Sequence, residues 1–187
     1  YEGSELSEET RVRQRYLDLL VRQEARDVVR KRAAIISAVR RTLEDEGYIE
    51  IETPVLQLVH GGATARPFAT HLNAFDQDMT LRIATELYLK RAVVGGVERV
   101  FEIGRVFRNE GVDSTHSPEF TTLEVYEAWG DQFSQAELMQ RMIVAAADAL
   151  GIDGPLPTAK GEIDLRGEWP WLSVYPGLSE AVGQEIT

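Results

Sequence analysis

At 187 residues, with 43% hydrophobic and 27% charged residues, the chain has room for a substantial core and none of the signature of a disordered or fibrous protein. Its formal net charge of −11 argues against non-specific nucleic-acid binding, because affinity for a polyanion comes mostly from clustered Lys and Arg. Cysteine is absent, no apolar run reaches bilayer length and the first residues lack signal-peptide character, so a disulfide framework and a thiolate metal site are excluded, and a cytoplasmic protein without membrane contact is expected.

Residues 5–20 are charged, with Leu6, Val12, Tyr16, Leu17, Leu19 and Leu20 interspersed, and read as a short helix or an N-terminal arm. Over 25–46, from Ala25 on, Val29, Ala33, Ile36, Val39 and Leu43 recur at helical spacing, and Gly47 suits the position after the C-cap. Residues 48–52 alternate as a strand that stops at Pro54, which cannot donate to a ladder. A plain helix–strand unit satisfies this pattern. The stretch 60–68 is glycine-rich and reads as a loop leading to a strand near Phe68, where Gly61 and Gly62 suit either a close approach of backbone to a ligand or a tight turn. Residues 79–84 read as a strand. Thr85 is placed to cap a helix running to Val94 and stopping at Gly95 and Gly96, with Glu86 in the first turn, where a carboxylate complements the helix dipole.

The stretch 101–129 holds two β-rich runs around a polar segment with Gly111 and Pro118, which predicts an antiparallel hairpin with a long loop. Alternation puts Gly104, Val106, Arg108 and Glu110 on one face of the first strand, and Phe120, Thr122, Glu124 and Tyr126 on one face of the second. If the two faces coincide they form one site. Arg108 offers a fork of donors for a carboxylate or phosphate, Phe120 a surface on which a base can stack, and Glu124 and Tyr126 a receptor for a cation. The alternation by itself also fits a solvated sheet face with cross-strand ion pairs.

Beyond the hairpin, Ser134 and Glu137 have capping-box spacing, and Leu138, Met139, Met142, Ile143, Ala146 and Leu150 line a helix ending at Gly151, with the methionines in the core. Residues 151–161 read as a linker, 162–165 and 172–175 as short strands, and 178–182 as the start of a helix. The histidines at 60, 71 and 116 have no metal-ligand spacing, and neither a nucleophile elbow nor a P-loop is present.

Phe107 to Glu110 followed by His116 to Phe120 resembles motif 2 of class II aminoacyl-tRNA synthetases, and the whole stretch is similar to the lysyl branch. The helix followed by Gly-Tyr-Ile-Glu-Ile-Glu-Thr-Pro resembles motif 1, and Arg-Tyr-Leu-Asp-Leu at 15–19 and Gly-Gly-Ala-Thr-Ala-Arg-Pro-Phe at 61–68 resemble further lysyl segments. Leu-Arg-Ile-Ala-Thr-Glu-Leu-Tyr-Leu-Lys-Arg at 81–91 matches apart from Thr85, where Pro is usual, and Thr115 stands where a basic residue is frequent. No counterpart of motif 3 is found.

This resemblance implies an α/β architecture, an antiparallel sheet flanked by helices, with residues 1–24 an arm following an anticodon-binding barrel that the chain lacks, and 25–187 an incomplete catalytic domain. It implies activation of L-lysine by ATP to lysyl-adenylate and transfer to the acceptor end of tRNA(Lys), in a homodimer formed through residues 25–54. The same resemblance implies roles for individual residues. Arg108 would bridge the lysine carboxylate and the α-phosphate, Glu110 contact the adenine, Phe120 stack on it and His116 approach the γ-phosphate. Gly62 and Glu86 would hold the α-ammonium, and Tyr126, supported by Glu124, the ε-ammonium. Mg2+ ligands would lie mostly beyond the residues present, and none is assigned among them. Two alternatives share the motifs: the catalytic domain of a bifunctional protein that also forms lysylphosphatidylglycerol, which the run from Asp113 to Pro118 resembles, and an inactive truncated relative acting as a binding or dimerisation module.

Overall fold

The structure, a computed structural model, describes residues 6–186. Of the arm expected over 1–24, positions 1–5 lie outside the described residues. The rest forms two short helices, α1 (Glu8–Arg13) and α2 (Arg15–Val21); the buried carboxylate of Asp18 in α2 accepts from Arg15 at 2.6 Å and from Arg22, at the end of the same helix, at 3.0 Å. Helix α3 (Gln23–Asp45) follows the predicted stripe, and Gly47 at φ +82 turns the chain out of it. Leu43 of that stripe is fully buried, whereas Val29 is 56% exposed.

The strand expected over 48–52 is reduced to β1 (Ile49–Glu50), because Tyr48 turns into the core and Pro54 ends the pairing. Three further strands, β2 (Leu56–Gln57), β3 (Ala69–Leu72) and β4 (Gln77–Leu81), make a small antiparallel sheet in the order β2-β4-β3. The two residues of β2 are too few to show alternation in a sequence. Helix α4 (Glu86–Val94) starts and stops as its flanking residues predict.

The predicted hairpin is β5 (Arg99–Phe107) against β6 (Glu119–Glu127), antiparallel, with β1 added in parallel at the edge of β5. One face of the hairpin presents Phe101, Ile103, Leu123 and Val125 to α3 and to α5 (Gln132–Asp148), closing a core with Leu43, Tyr48, Leu138 and Met142. Each large side chain buried there contributes about 1.5–3 kcal/mol. The opposite face is left for α4 and the segment before it, and it is the face that carries the candidate site.

The C-terminal part departs from expectation in several places. The N-cap of α5 lies three residues before Ser134: it is Asp131, whose carboxylate accepts from the backbone of Phe133 and Ser134, both at 2.9 Å, while Ser134 closes the capping box from the other side. A carboxylate caps as well as a hydroxyl and adds a favourable charge at the dipole's positive end. Met139 is 49% exposed, so of the two methionines on this helix only Met142 is core. The expected linker contains β7 (Leu156–Thr158), which pairs with β8 (Gly161–Ile163) in place of the strand expected over 162–165. Residues 172–175 are not a strand: α6 (Val174–Val182) begins within them, Pro176 being tolerated in a first turn where its missing N–H costs nothing.

Candidate active site

Cross-strand register decides whether the two polar faces of the hairpin coincide. Val106 lies opposite Phe120, Gly104 opposite Thr122, Glu102 opposite Glu124 and Val100 opposite Tyr126, so they do. The face is not a bare polar surface, since Val100 and Val106 are fully buried on it. The ladder ends at Phe107 and Glu119, with one further bond from Arg108 N to the Pro118 carbonyl at 2.8 Å. Arg108 therefore stands at the lip of the sheet and Glu110 beyond it.

Arg108, Glu110, Gly111, Thr115, His116, Ser117 and Phe120 surround one cleft. The Arg108 guanidinium lies 5.1 Å from the centroid of the Phe120 ring, and its Nε donates to the Ile83 carbonyl at 3.4 Å. These contacts hold the side chain while leaving its terminal nitrogens to a ligand. Glu110 accepts from Arg66 N at 3.2 Å and Asn109 N donates to the Arg66 carbonyl at 2.8 Å, which pins the 60–68 loop against the end of β5.

Farther along the same face, Gly62, Glu86, Glu124 and Tyr126 form a second group. Gly62 has φ +86, and a Cβ there would lie 2.8 Å from Glu86 Cβ, so only glycine permits this approach of the loop to α4. The Tyr126 hydroxyl donates to Glu124 Oε2 at 3.0 Å, while Glu124 Oε1 accepts from Thr85 N at 2.9 Å. Burial first, and then the charge of Glu124, pushes the Tyr126 phenol above its ordinary value and keeps it protonated at neutral pH. With its one proton given to Glu124, the phenol oxygen offers only lone pairs to anything else. Glu86 is paired with Lys90 at 2.6 Å, and the Lys90 ammonium lies 5.9 Å from the Tyr126 ring centroid. Two carboxylates and a phenol thus converge on a position suited to ammonium groups.

Thr85 does not cap α4 through its side chain as expected. It occupies the N-cap position at φ −98 and ψ −9, and its hydroxyl is buried without a partner among the described residues; its backbone N–H makes the useful contact, to Glu124. Thr85→Val is nearly isosteric and removes that orphaned hydroxyl. It is expected to stabilise the fold by about 1 kcal/mol, read as a higher urea midpoint, and a lower midpoint would mean that the hydroxyl has a partner in solution.

On the same face, covered by the 82–85 segment, Arg82 and Glu102, both 3% exposed, form a buried ion pair at 2.6 Å. Arg82 also donates to the Arg105 carbonyl at 2.7 Å and to the Thr53 carbonyl at 2.9 Å, and Glu102 Oε2 accepts from the Thr53 hydroxyl at 2.6 Å. Gly104 is required here because a Cβ would run into Arg82 Nη2 and Glu102 Oε1. Phe107 N donates to the Arg82 carbonyl at 2.9 Å, so this network docks the 82–85 segment on the hairpin.

The residues singled out from the sequence therefore fall into two neighbouring groups: Arg108, Glu110, His116 and Phe120 around the cleft, and Gly62, Glu86, Glu124 and Tyr126 along the face. Sequence reasoning missed four contributors. Lys90, four residues after Glu86, and Asp113, three before His116, carry local signals of a helical pair and a side-chain-capped turn. Arg82 and the Thr85 N–H carry none, since their partners are distant in the chain. Among the described residues no group of three or more His, Asp or Glu comes together to hold a metal ion.

Comparison with known proteins follows the same lines. The family described as tRNA synthetases class II (D, K and N) matches residues 7–183. A lysine–tRNA ligase of Kineococcus radiotolerans is 60% identical over 184 residues, covering 98% of this chain and 37% of that protein. A lysine–tRNA ligase of Mycolicibacterium gilvum is 58% identical over the same length, with the same coverage. The lysylphosphatidylglycerol biosynthesis bifunctional protein LysX of Nocardia farcinica is 51% identical over 188 residues, covering 96% of this chain and 16% of that protein. The chain thus spans about 37% of the length of the ligases it matches.

Proposed function

The chain belongs to the class II tRNA synthetases of the D, K and N type, and from that premise we propose that it supplies the lysine- and ATP-binding face of a lysine–tRNA ligase. The observation that carries this reading is the Arg108 fork, set against Phe120 with its terminal nitrogens free among the described residues, on the same hairpin face as a group of two carboxylates and a phenol. Amino-acid activation needs no protein nucleophile. It needs the amino-acid carboxylate aligned on the α-phosphorus of ATP, and the charge that grows on that phosphate neutralised. Arg108 serves both purposes from one position. Phe120 and Glu110 take the adenine and His116 the γ-phosphate. Gly62 and Glu86 take the α-ammonium, with lysine displacing Lys90 from Glu86, and Tyr126 and Glu124 take the ε-ammonium.

Selection of lysine follows from the same groups. A neutral side chain would leave a desolvated carboxylate and a phenol lone pair without donors, and sites of that kind reject such analogues by factors of about 10⁴. The 60% identity to the Kineococcus ligase, against 51% to the bifunctional Nocardia protein, supports the ligase reading over the lipid-linked one. A homodimer through residues 25–54 belongs to this reading, and the exposed Val28, Val29 and Ile49 in that region support it. Transfer to the acceptor end of tRNA(Lys) would complete the reaction. Mg2+ accompanies ATP in this chemistry; the described residues offer it no ligand set, and no step above depends on one.

The test is exchange of labelled pyrophosphate into ATP by the natural full-length protein. Exchange is expected with lysine alone among the amino acids, and exchange driven equally by aspartate or asparagine would overturn the assignment.

A further inference from the structure

The segment joining β5 to β6 is folded around one carboxylate. Asp113 Oδ1 accepts from Thr115 N at 2.7 Å, from His116 N at 2.8 Å and from the Thr115 hydroxyl at 2.9 Å. His116 Nδ1 lies 2.9 Å from both oxygens of the same carboxylate. In return Asp113 N donates to the His116 carbonyl at 3.2 Å. The His116 contact first, then the Thr115 donors, hold the Asp113 carboxyl down at about 2, so it is ionised wherever the protein works.

An ionised carboxylate can only accept hydrogen bonds, so its contact with Nδ1 places a proton on Nδ1. The consequence falls on the other nitrogen, Nε2, which has no protein partner among the described residues. In the neutral ring Nε2 is a bare lone pair, which repels a phosphate oxygen. In the imidazolium it is a charged N–H, which binds one. The net charge of the pair changes in the same sense, from zero in the cationic state to minus one in the neutral state.

We propose that Asp113 is a positioning residue that fixes the Nδ1–H tautomer of His116, so that this ring holds the outer phosphate of the nucleotide, or free pyrophosphate, only when it is protonated. The inference rests on the nucleotide reading of the cleft. It gives Thr115 a place as well: this position carries no fixed charge, and its N–H and hydroxyl both go to Asp113. The other charged groups facing the cleft are the Arg108 guanidinium and the Glu110 carboxylate. Of these side-chain types, imidazole is the one that ordinarily switches charge near neutral pH. Grip on pyrophosphate is present while the ring is an imidazolium and lost when it is neutral, which favours retention in the first state and release of the product in the second.

The test compares wild type with Asp113→Ala in the natural full-length protein, with inorganic pyrophosphate as the probe, by calorimetry at pH 6 and pH 8.5. The ligand's own titration is common to both proteins and cancels in the comparison. Without Asp113 the neutral ring can adopt the Nε2–H tautomer and donate at either pH. Wild-type affinity is expected to fall with pH by about tenfold more than that of the variant, the ratio expected for one charge-assisted hydrogen bond. An equal pH dependence in both proteins would overturn the proposal, as would a uniform loss of affinity at both pH values, the mark of a merely structural role. Nitrogen-15 spectra of the imidazole provide the second measurement. The neutral wild-type ring is expected as the Nδ1–H form, and an Nε2–H form would overturn the proposal whatever the affinities. Wild-type protein that binds neither ATP nor pyrophosphate at any pH would instead bring down the nucleotide reading itself, and this inference with it.

Discussion

Replacing Arg108 by Ala is expected to lower lysine-dependent pyrophosphate exchange by on the order of a thousandfold or more, with a much smaller effect on ATP binding. The asymmetry comes from where charge grows. In the ground state the phosphates of ATP have several partners, whereas in the transition state the α-phosphate gains charge while a carboxylate, itself negative, approaches it. One guanidinium facing both groups is worth most at that moment. The structure holds that guanidinium ready, stacked on Phe120 at 5.1 Å with Nε on the Ile83 carbonyl at 3.4 Å, so little reorganisation is needed. Arg108→Lys keeps the charge and loses the planar fork, and is expected to recover only a minor part of the rate. Exchange within tenfold of wild type in Arg108→Ala would remove this residue from the chemistry.

The largest expected effect on stability comes from Glu102→Gln, a destabilisation of about 3–5 kcal/mol. The substitution keeps the shape but leaves the Arg82 guanidinium, 3% exposed, without its counter-charge at 2.6 Å. It also sets an amide N–H₂ or a weaker acceptor against the Thr53 N–H and hydroxyl, which Glu102 Oε2 now serves at 3.2 and 2.6 Å. The cost is that of an orphaned buried charge and not the net worth of the pair. Removing both charges together in Arg82→Met with Glu102→Leu is therefore expected to recover most of the loss in urea denaturation. A single variant within about 1 kcal/mol of wild type would mean that solvent reaches Arg82. Because Arg82 docks the 82–85 segment on the hairpin, Glu102→Gln is also expected to loosen the Thr85 contact to Glu124.

The elements most legible in the sequence were those whose signal is local and long. The 23 residues of α3 repeat an apolar stripe and are followed by a glycine with positive φ, and the nine-residue strands β5 and β6 are long β-rich runs on either side of a polar segment. Short elements were not legible. The two residues of β2 and the three of β7 hold too few positions for a period to appear, and they exist because a neighbouring strand completes their hydrogen bonds. At 172–175 the apolar run read as a strand, but among the described residues no partner strand adjoins it, and helix α6 satisfies its own backbone instead. At the start of α5 the carboxylate of Asp131 reaches two backbone donors as the N-cap, and Ser134, expected as the cap, instead closes the box from the third helical position.

By itself the sequence determined which side chains share a face, because the period of a strand is two and cannot slip without exposing Phe101 and Leu123. It determined the family too, through ordered residue strings in motifs that fix backbone and chemistry together. The tertiary structure decided how those side chains are held. Thr85 reaches Glu124, Arg66 reaches Glu110, and Arg82 with Thr53 closes on Glu102. These partners lie 20 to 49 positions apart in the chain. No local pattern encodes such pairings; they form when the loop, α4 and the hairpin dock, because each buried polar group must then find its partner in whatever element covers it.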